Sequence, residues 1–168
     1  VVLYVHISQT MNQNDIETIF SNIRKDSSLL NTIDISELLE NERNESLENK
    51  TLDDILQEII DVFKECGLEN KKIKEFCESL TGYRYIDNLY DIHRGKYIRW
   101  INKSSLTKIT NGGIVMDTKI MDEGTQILCK TPANRFFQIK FDNNIIFQKL
   151  TTGEQLVLYA YEHYKNNN

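Results

Sequence analysis

The stretch Ile92–Leu150 reads IHRGKYIRWINKSSLTKITNGGIVMDTKIMDEGTQILCKTPANRFFQIKFDNNIIFQKL, and its punctuation decides the fold. Three turn signals divide it: Asn111-Gly112-Gly113, Asp122-Glu123-Gly124 and Asp142-Asn143-Asn144. Between them lie short β-branched and aromatic runs, Lys96–Asn102, Ile114–Ile120, Thr125–Lys130, Phe136–Phe141 and Ile145–Leu150. Strands joined so closely must be antiparallel neighbours, because a parallel crossover needs a dozen or more residues. The expectation is a small antiparallel five-stranded β-barrel or curled sheet.

Outward from this module the pattern turns helical. Thr51 is placed as an N-cap, with Asp53 and Asp54 in the first turn, where the helix dipole favours carboxylates. Leu52, Leu56, Ile59, Phe63 and Cys66 form the stripe of that helix, and Gly67 stands where a terminating glycine belongs. A shorter helix follows, with Ile73, Phe76, Cys77 and Leu80 on one face and Gly82 after it. Beyond the module, Thr151 to Glu154 caps a last helix carrying Leu156, Val157, Ala160, Tyr161 and Tyr164 on its packing side. Tyr83, Tyr85 and Tyr90 lie between helices and module, suited either to bridging the two layers or to an aromatic surface. Ile33, Ile35, Leu38 and Leu39 suggest a further helix, and Val1–Ser8 alternates like a strand.

The whole is therefore α+β: an acidic helical layer packed on the β module and closed by a C-terminal helix. Residues 1–91 form the N-terminal strand and acidic helical region, and residues 92–168 the β module with its helix. At 168 residues, 40% hydrophobic and 27% charged, the chain can bury a core without metal or disulfide. The net charge of −5 is unevenly divided. Residues 1–91 hold 9 Lys/Arg and 19 Asp/Glu, residues 92–168 hold 11 and 6, so one part carries −10 and the other +5. Such a division fits a basic binding surface, mutual attraction of the two parts, or a well-solvated acidic layer. No apolar run approaches the ~20 residues of a membrane span. Cys66, Cys77 and Cys129 are odd in number and lack CxxC spacing, which points to a reducing, intracellular compartment. The first residue is Val1 rather than Met, so the numbered sequence is expected to be a fragment.

Two resemblances bear on function. LYVHIS (Leu3–Ser8) with the following amphipathic pattern at Ile16, Ile19, Phe20 and Ile23 resembles the opening of an RNA-recognition motif. Tyr4 would then be its base-stacking aromatic. The likeness ends after about twenty residues, where 24–70 turns acidic and helical. Residues 82–164 resemble a group of uncharacterised proteins of mimivirus-type giant DNA viruses. The likeness rests on IRWIN (Ile98–Asn102), LTKITNGG (Leu106–Gly113), ILCK (Ile127–Lys130), FFQIK (Phe136–Lys140) and IIFQKLT (Ile145–Thr151). It implies a viral origin, with the host cytoplasm or virion interior as location, and transfers no catalytic residue.

The chain holds no catalytic or metal motif. His6, His93 and His163 have no metal-ligand spacing, and no GxSxG, Walker or dinucleotide pattern occurs. No cofactor is expected. Arg94, Lys96, Arg99, Lys103 and Lys108, interleaved with Tyr97 and Trp100, make the start of the module basic and aromatic. Small β modules use that mixture to hold single strands through stacking and phosphate contacts. The same residues also suit a core tryptophan and solubilising edge lysines. The sequence reading is a non-enzymatic interaction protein that binds another macromolecule through its β module, with a protein partner ahead of RNA or single-stranded DNA. The alternative is a nucleic-acid-binding accessory factor for viral transcription or RNA handling.

Overall fold

The structure is a computed structural model that describes Thr18, residues 21–26, Ser28 and residues 45–168. The strand expected at Val1–Ser8, with Tyr4 and His6, and the helix expected from Ile33 to Leu39 lie outside the described residues. Residues 21–25 are helical, and Ile23 is buried. The chain falls into two compact units, one of residues Ile55–Lys149 and one of residues up to Asp54 together with Leu150–Asn168.

In the first unit, helix α1 (Leu52–Glu65) and helix α2 (Asn70–Ser79) precede a six-stranded antiparallel sheet. Its strands are β1 (Tyr83–Ile86), β2 (Tyr97–Asn102), β3 (Gly113–Met121), β4 (Gly124–Lys130), β5 (Phe136–Lys140) and β6 (Asn144–Lys149). Their order in space is β1-β6-β2-β3-β4-β5. Strands β2 to β5 form a meander, and β6 returns to lie beside β2, as the last strand of a Greek key does. Helix α1, which the boundary between the units crosses near its start, ends as its sequence dictates. Gly67 takes φ +76, and Leu68 N–H reaches back to the Phe63 carbonyl at 3.2 Å, closing a Schellman-type turn.

Two apolar clusters occupy the two faces of the sheet. On one, Ile59, Val62 and Phe63 of α1 and Ile73 and Phe76 of α2 pack on Ile101, Ile145 and Phe147. The Phe63 ring lies 5.3 Å from Phe76 and 5.5 Å from Phe147, so helix meets helix and helix meets sheet at one residue. On the other face, Ile86, Ile98, Val115, Ile127, Cys129 and Ile146 form a second cluster with Trp100, Phe137 and Ile139 against it. Gln148 is fully buried on this side, and its amide is used at both ends. Nε2 donates to the Asp91 carbonyl at 3.2 Å, and Oε1 accepts from His93 N–H at 3.3 Å, which pins the segment leading into β2.

The α+β class and the antiparallel sheet agree with the sequence reading, but two details do not. The sheet has six strands, because Tyr83–Ile86 pairs with β6, Tyr83 opposite Lys149 and Ile86 opposite Ile146. This four-residue strand has a charged residue, Arg84, on its buried side, only 3% exposed, which masks its alternation. Nor is the sheet a barrel. Strand β1 occupies the free edge of β6, β5 stands at the opposite edge, and the two do not pair. The β2–β3 pairing is also short, from Tyr97 opposite Ile114 to Ile98 opposite Gly113. Beyond it, Thr110 replaces the partner strand. Its N–H donates to the Trp100 carbonyl at 2.9 Å, and its hydroxyl accepts from Trp100 N–H at 3.2 Å.

In the second unit, Thr51 N–H donates to the Asp54 carboxylate at 2.8 Å, while the Thr51 hydroxyl accepts from Asp54 N–H at 3.2 Å. These bonds hold the Asp54 carboxyl below its ordinary range. The same reciprocal box recurs at Thr151 and Glu154, opening helix α3 (Thr152–Asn167). Leu156, Val157, Leu158 and Ala160 of α3 are buried.

Candidate functional site

Strand β2 sorts the candidate residues by alternation. Tyr97, Arg99 and Ile101 share the helix-side face, while Ile98 and Trp100 share the other. Trp100 packs on Phe137 with ring centroids 5.2 Å apart and completes the second cluster. Arg94, exposed in the turn before β2, donates to the carboxylate of Asp117, and this bond holds the Asp117 carboxyl below the usual range. Lys96 lies half-buried just ahead of the strand. Lys103 lies beyond its far end, where Nζ donates to the Asp142 carbonyl at 2.9 Å, and Lys108 is exposed in the following loop. Seven steps of about 3.3 Å each separate Lys96 from Lys103 by roughly 23 Å. The seven residues singled out in the sequence therefore do not form one patch.

Tyr97 and Arg99 do belong to one site. With Tyr83, Asn111 and Lys149 they line an open recess of about 360 Å³ on the helix-side face. Arg99 is held in place from three directions. Nε donates to the Thr110 carbonyl at 2.8 Å, a terminal nitrogen donates to the Ser79 carbonyl at the end of α2, and the guanidinium lies 5.7 Å from the Tyr83 ring centre. Tyr97 donates its hydroxyl to the Asn111 carbonyl at 2.7 Å. The loop can pass this close only because residue 112 is glycine. A Cβ there would stand 2.1 Å from the Ile98 carbonyl oxygen and 2.9 Å from the Tyr97 ring, and its φ is +88. Asn111-Gly112-Gly113 is thus a crossing point over β2 as well as a turn.

The recess holds two cations, two phenols and an amide, with no carboxylate, thiol or imidazole in its lining. Burial raises the Tyr83 hydroxyl above its ordinary pKa, although Arg99 pulls it down in part. The phenol stays neutral near pH 7, so it can donate a hydrogen bond or offer its ring. Among the described residues no cluster of His, Cys, Asp and Glu could hold a metal ion, and no helix is long and apolar enough to cross a membrane.

The sequence reading missed Lys149 and Asn111 and left Tyr83 between two roles. The structure divides the tyrosine trio. Tyr85 packs beneath the helices, 6.3 Å from Phe147, Tyr83 lines the recess, and Tyr90 is 80% exposed. Lys149 looked like any strand-end lysine, and only the β1–β6–β2 register brings it between Tyr83 and Tyr97. No family model, curated protein or solved structure matches the chain.

Proposed function

We propose that this chain is a non-enzymatic binding protein that takes an anionic macromolecule on the helix-side face of its sheet, at the recess of Tyr83, Tyr97, Arg99, Asn111 and Lys149. The mimivirus-type resemblance makes a viral origin part of this proposal. The observation that carries it is the composition of the recess: a half-buried Arg99 and an exposed Lys149 beside two tyrosine rings, with no acid in the lining. Arg99 is preorganised by two backbone carbonyls, so a bound anion need not order it. Binding is favoured over chemistry because no nucleophile and base meet there.

Retention on an immobilised sulfated polysaccharide at low salt tests this reading. Wild-type protein should bind and elute as salt rises, and Arg99→Gln and Lys149→Gln should elute earlier. Flow-through of the wild type at low salt would contradict it.

A further inference from the structure

Resting on that reading, we infer that the anionic partner is a single-stranded nucleic acid laid across the strands, along a row of side chains that extends the recess to the far edge of the sheet. The row follows from register. Tyr83 stands opposite Lys149. One step beyond the pair Ile98–Gln148, the same ladder sets Lys149 beside Tyr97. Tyr97 is opposite Ile114, Ile114 opposite Lys130, and Lys130 opposite Phe136. Paired residues share a face, so six neighbouring side chains run perpendicular to the strands. Five steps of about 4.8 Å make the row roughly 24 Å long.

Its chemistry alternates. Aromatic rings stand at Tyr83, Tyr97 and Phe136, with amines at Lys149 and Lys130 between them. Phe136 is 60% exposed, and the Lys130 Nζ lies 5.8 Å from its ring centre. A ring so exposed on an edge strand, with a cation beside it, is available for stacking. Ile114, 38% exposed, adds apolar surface in the middle. From β2 to β5, the one acid of this face, Asp117, is covered by Arg94.

The direction of the row argues against a peptide. An extended peptide gains its main-chain hydrogen bonds from a sheet edge, running along the strands. A partner crossing the face finds only side chains, here alternately ring and cation. A single strand presents bases and phosphates in alternation, whereas a duplex keeps its base faces stacked inside.

Fluorescence anisotropy of a labelled oligothymidylate 12-mer, its duplex and a labelled poly-glutamate tests the inference. The single strand should bind tightest. The log–log salt slope should lie near −2, about −0.7 for each of Arg99, Lys149 and Lys130. Phe136→Ala should weaken single-strand binding by about 5- to 150-fold and leave poly-glutamate binding unchanged. Tyr97→Phe, which keeps the ring, should bind within a few-fold of wild type. Lys130→Gln should flatten the salt slope by close to one contact. Matching thermal melts would show that each variant is folded. If poly-glutamate or duplex binds as well as the single strand and Phe136→Ala has no effect, the inference is overturned while the polyanion reading stands. If none of the three probes binds at low salt, both fall.

Discussion

Strands β6 and β5 are of similar length in one sheet, yet their surroundings differ. Ile145, Ile146, Phe147 and Gln148 of β6 are buried in succession, beneath helices on one face and in the second apolar cluster on the other. In β5, Phe137 and Ile139 are half-buried, while Phe136, Gln138 and Lys140 are exposed. The helices cover Ile101, Ile145 and Phe147 in the β6–β2 part of the sheet, leaving the recess at its Tyr83–Lys149–Tyr97 end, and leave β3 to β5 open on the same face. That open half is where the cross-strand row continues beyond the recess. Burial on both faces makes β6 a structural strand, and burial on one frees β5 to carry a surface.

The strongest effect should fall on the doubly covered strand. Phe147 is fully buried and touches Phe63 and Tyr85, so Phe147→Ala should cost about 3–5 kcal/mol in urea melts. A loss below about 1 kcal/mol would show that α1 and α2 do not cover β6. Gly112→Ala should come next. Its Cβ would meet the Ile98 carbonyl, and its positive φ adds strain of about 1–3 kcal/mol. The variant should lose stability and, at temperatures where it stays folded, polyanion affinity, because the loop must lift from Tyr97 and Arg99. Wild-type affinity in this variant would detach the recess from that loop.

Within β5 the two faces should differ. Phe137→Ala, half-buried against Trp100, should cost roughly 2 kcal/mol, less than a fully buried phenylalanine would. Phe136→Ala should stay within about 0.5 kcal/mol. Equal losses in urea melts would mean that β5 is covered on both faces.

Cysteine reactivity reads the same contrast without mutation. Burial pushes the Cys129 thiol up to about 12, whereas Cys66 and Cys77 are half-buried at the helices. Iodoacetamide at pH 8 should label Cys66 and Cys77 in the native protein and Cys129 only on unfolding. Because the folded value lies above the ordinary 9.0, the stability tied to the neutral thiol is intact below about pH 9 and declines as pH rises toward 12. Early labelling of Cys129 would show that the second apolar cluster opens.

Much of the fold was legible because local rules agreed with the final packing. Threonine caps opened α1 and α3, Gly67 closed α1, and strand alternation put Ile127 and Cys129 inward, where both are fully buried. Strand β1 escaped because a buried arginine interrupts its pattern. The site was less legible, for a physical reason. A binding face is assembled across strands, and sequence shows only the order along each one. Alternation separates Tyr97 and Arg99 from Trp100, but Lys149, Lys130 and Phe136 join them only through register. That register includes a bulge between Val115 and Asp117 and the excursion from Lys103 to Gly112, which no periodicity reveals.

The measurement that tests the account most directly is an NMR titration with the oligothymidylate 12-mer, because β2 carries reporters for both faces. Side-chain signals of Tyr83, Tyr97, Ile114, Lys130 and Phe136 should shift together with one affinity. The Trp100 indole N–H and the Phe137 ring, on the opposite face of the same strands, should stay in place. Shifts centred on Trp100 and Phe137, with the row unmoved, would contradict the assignment of the binding face.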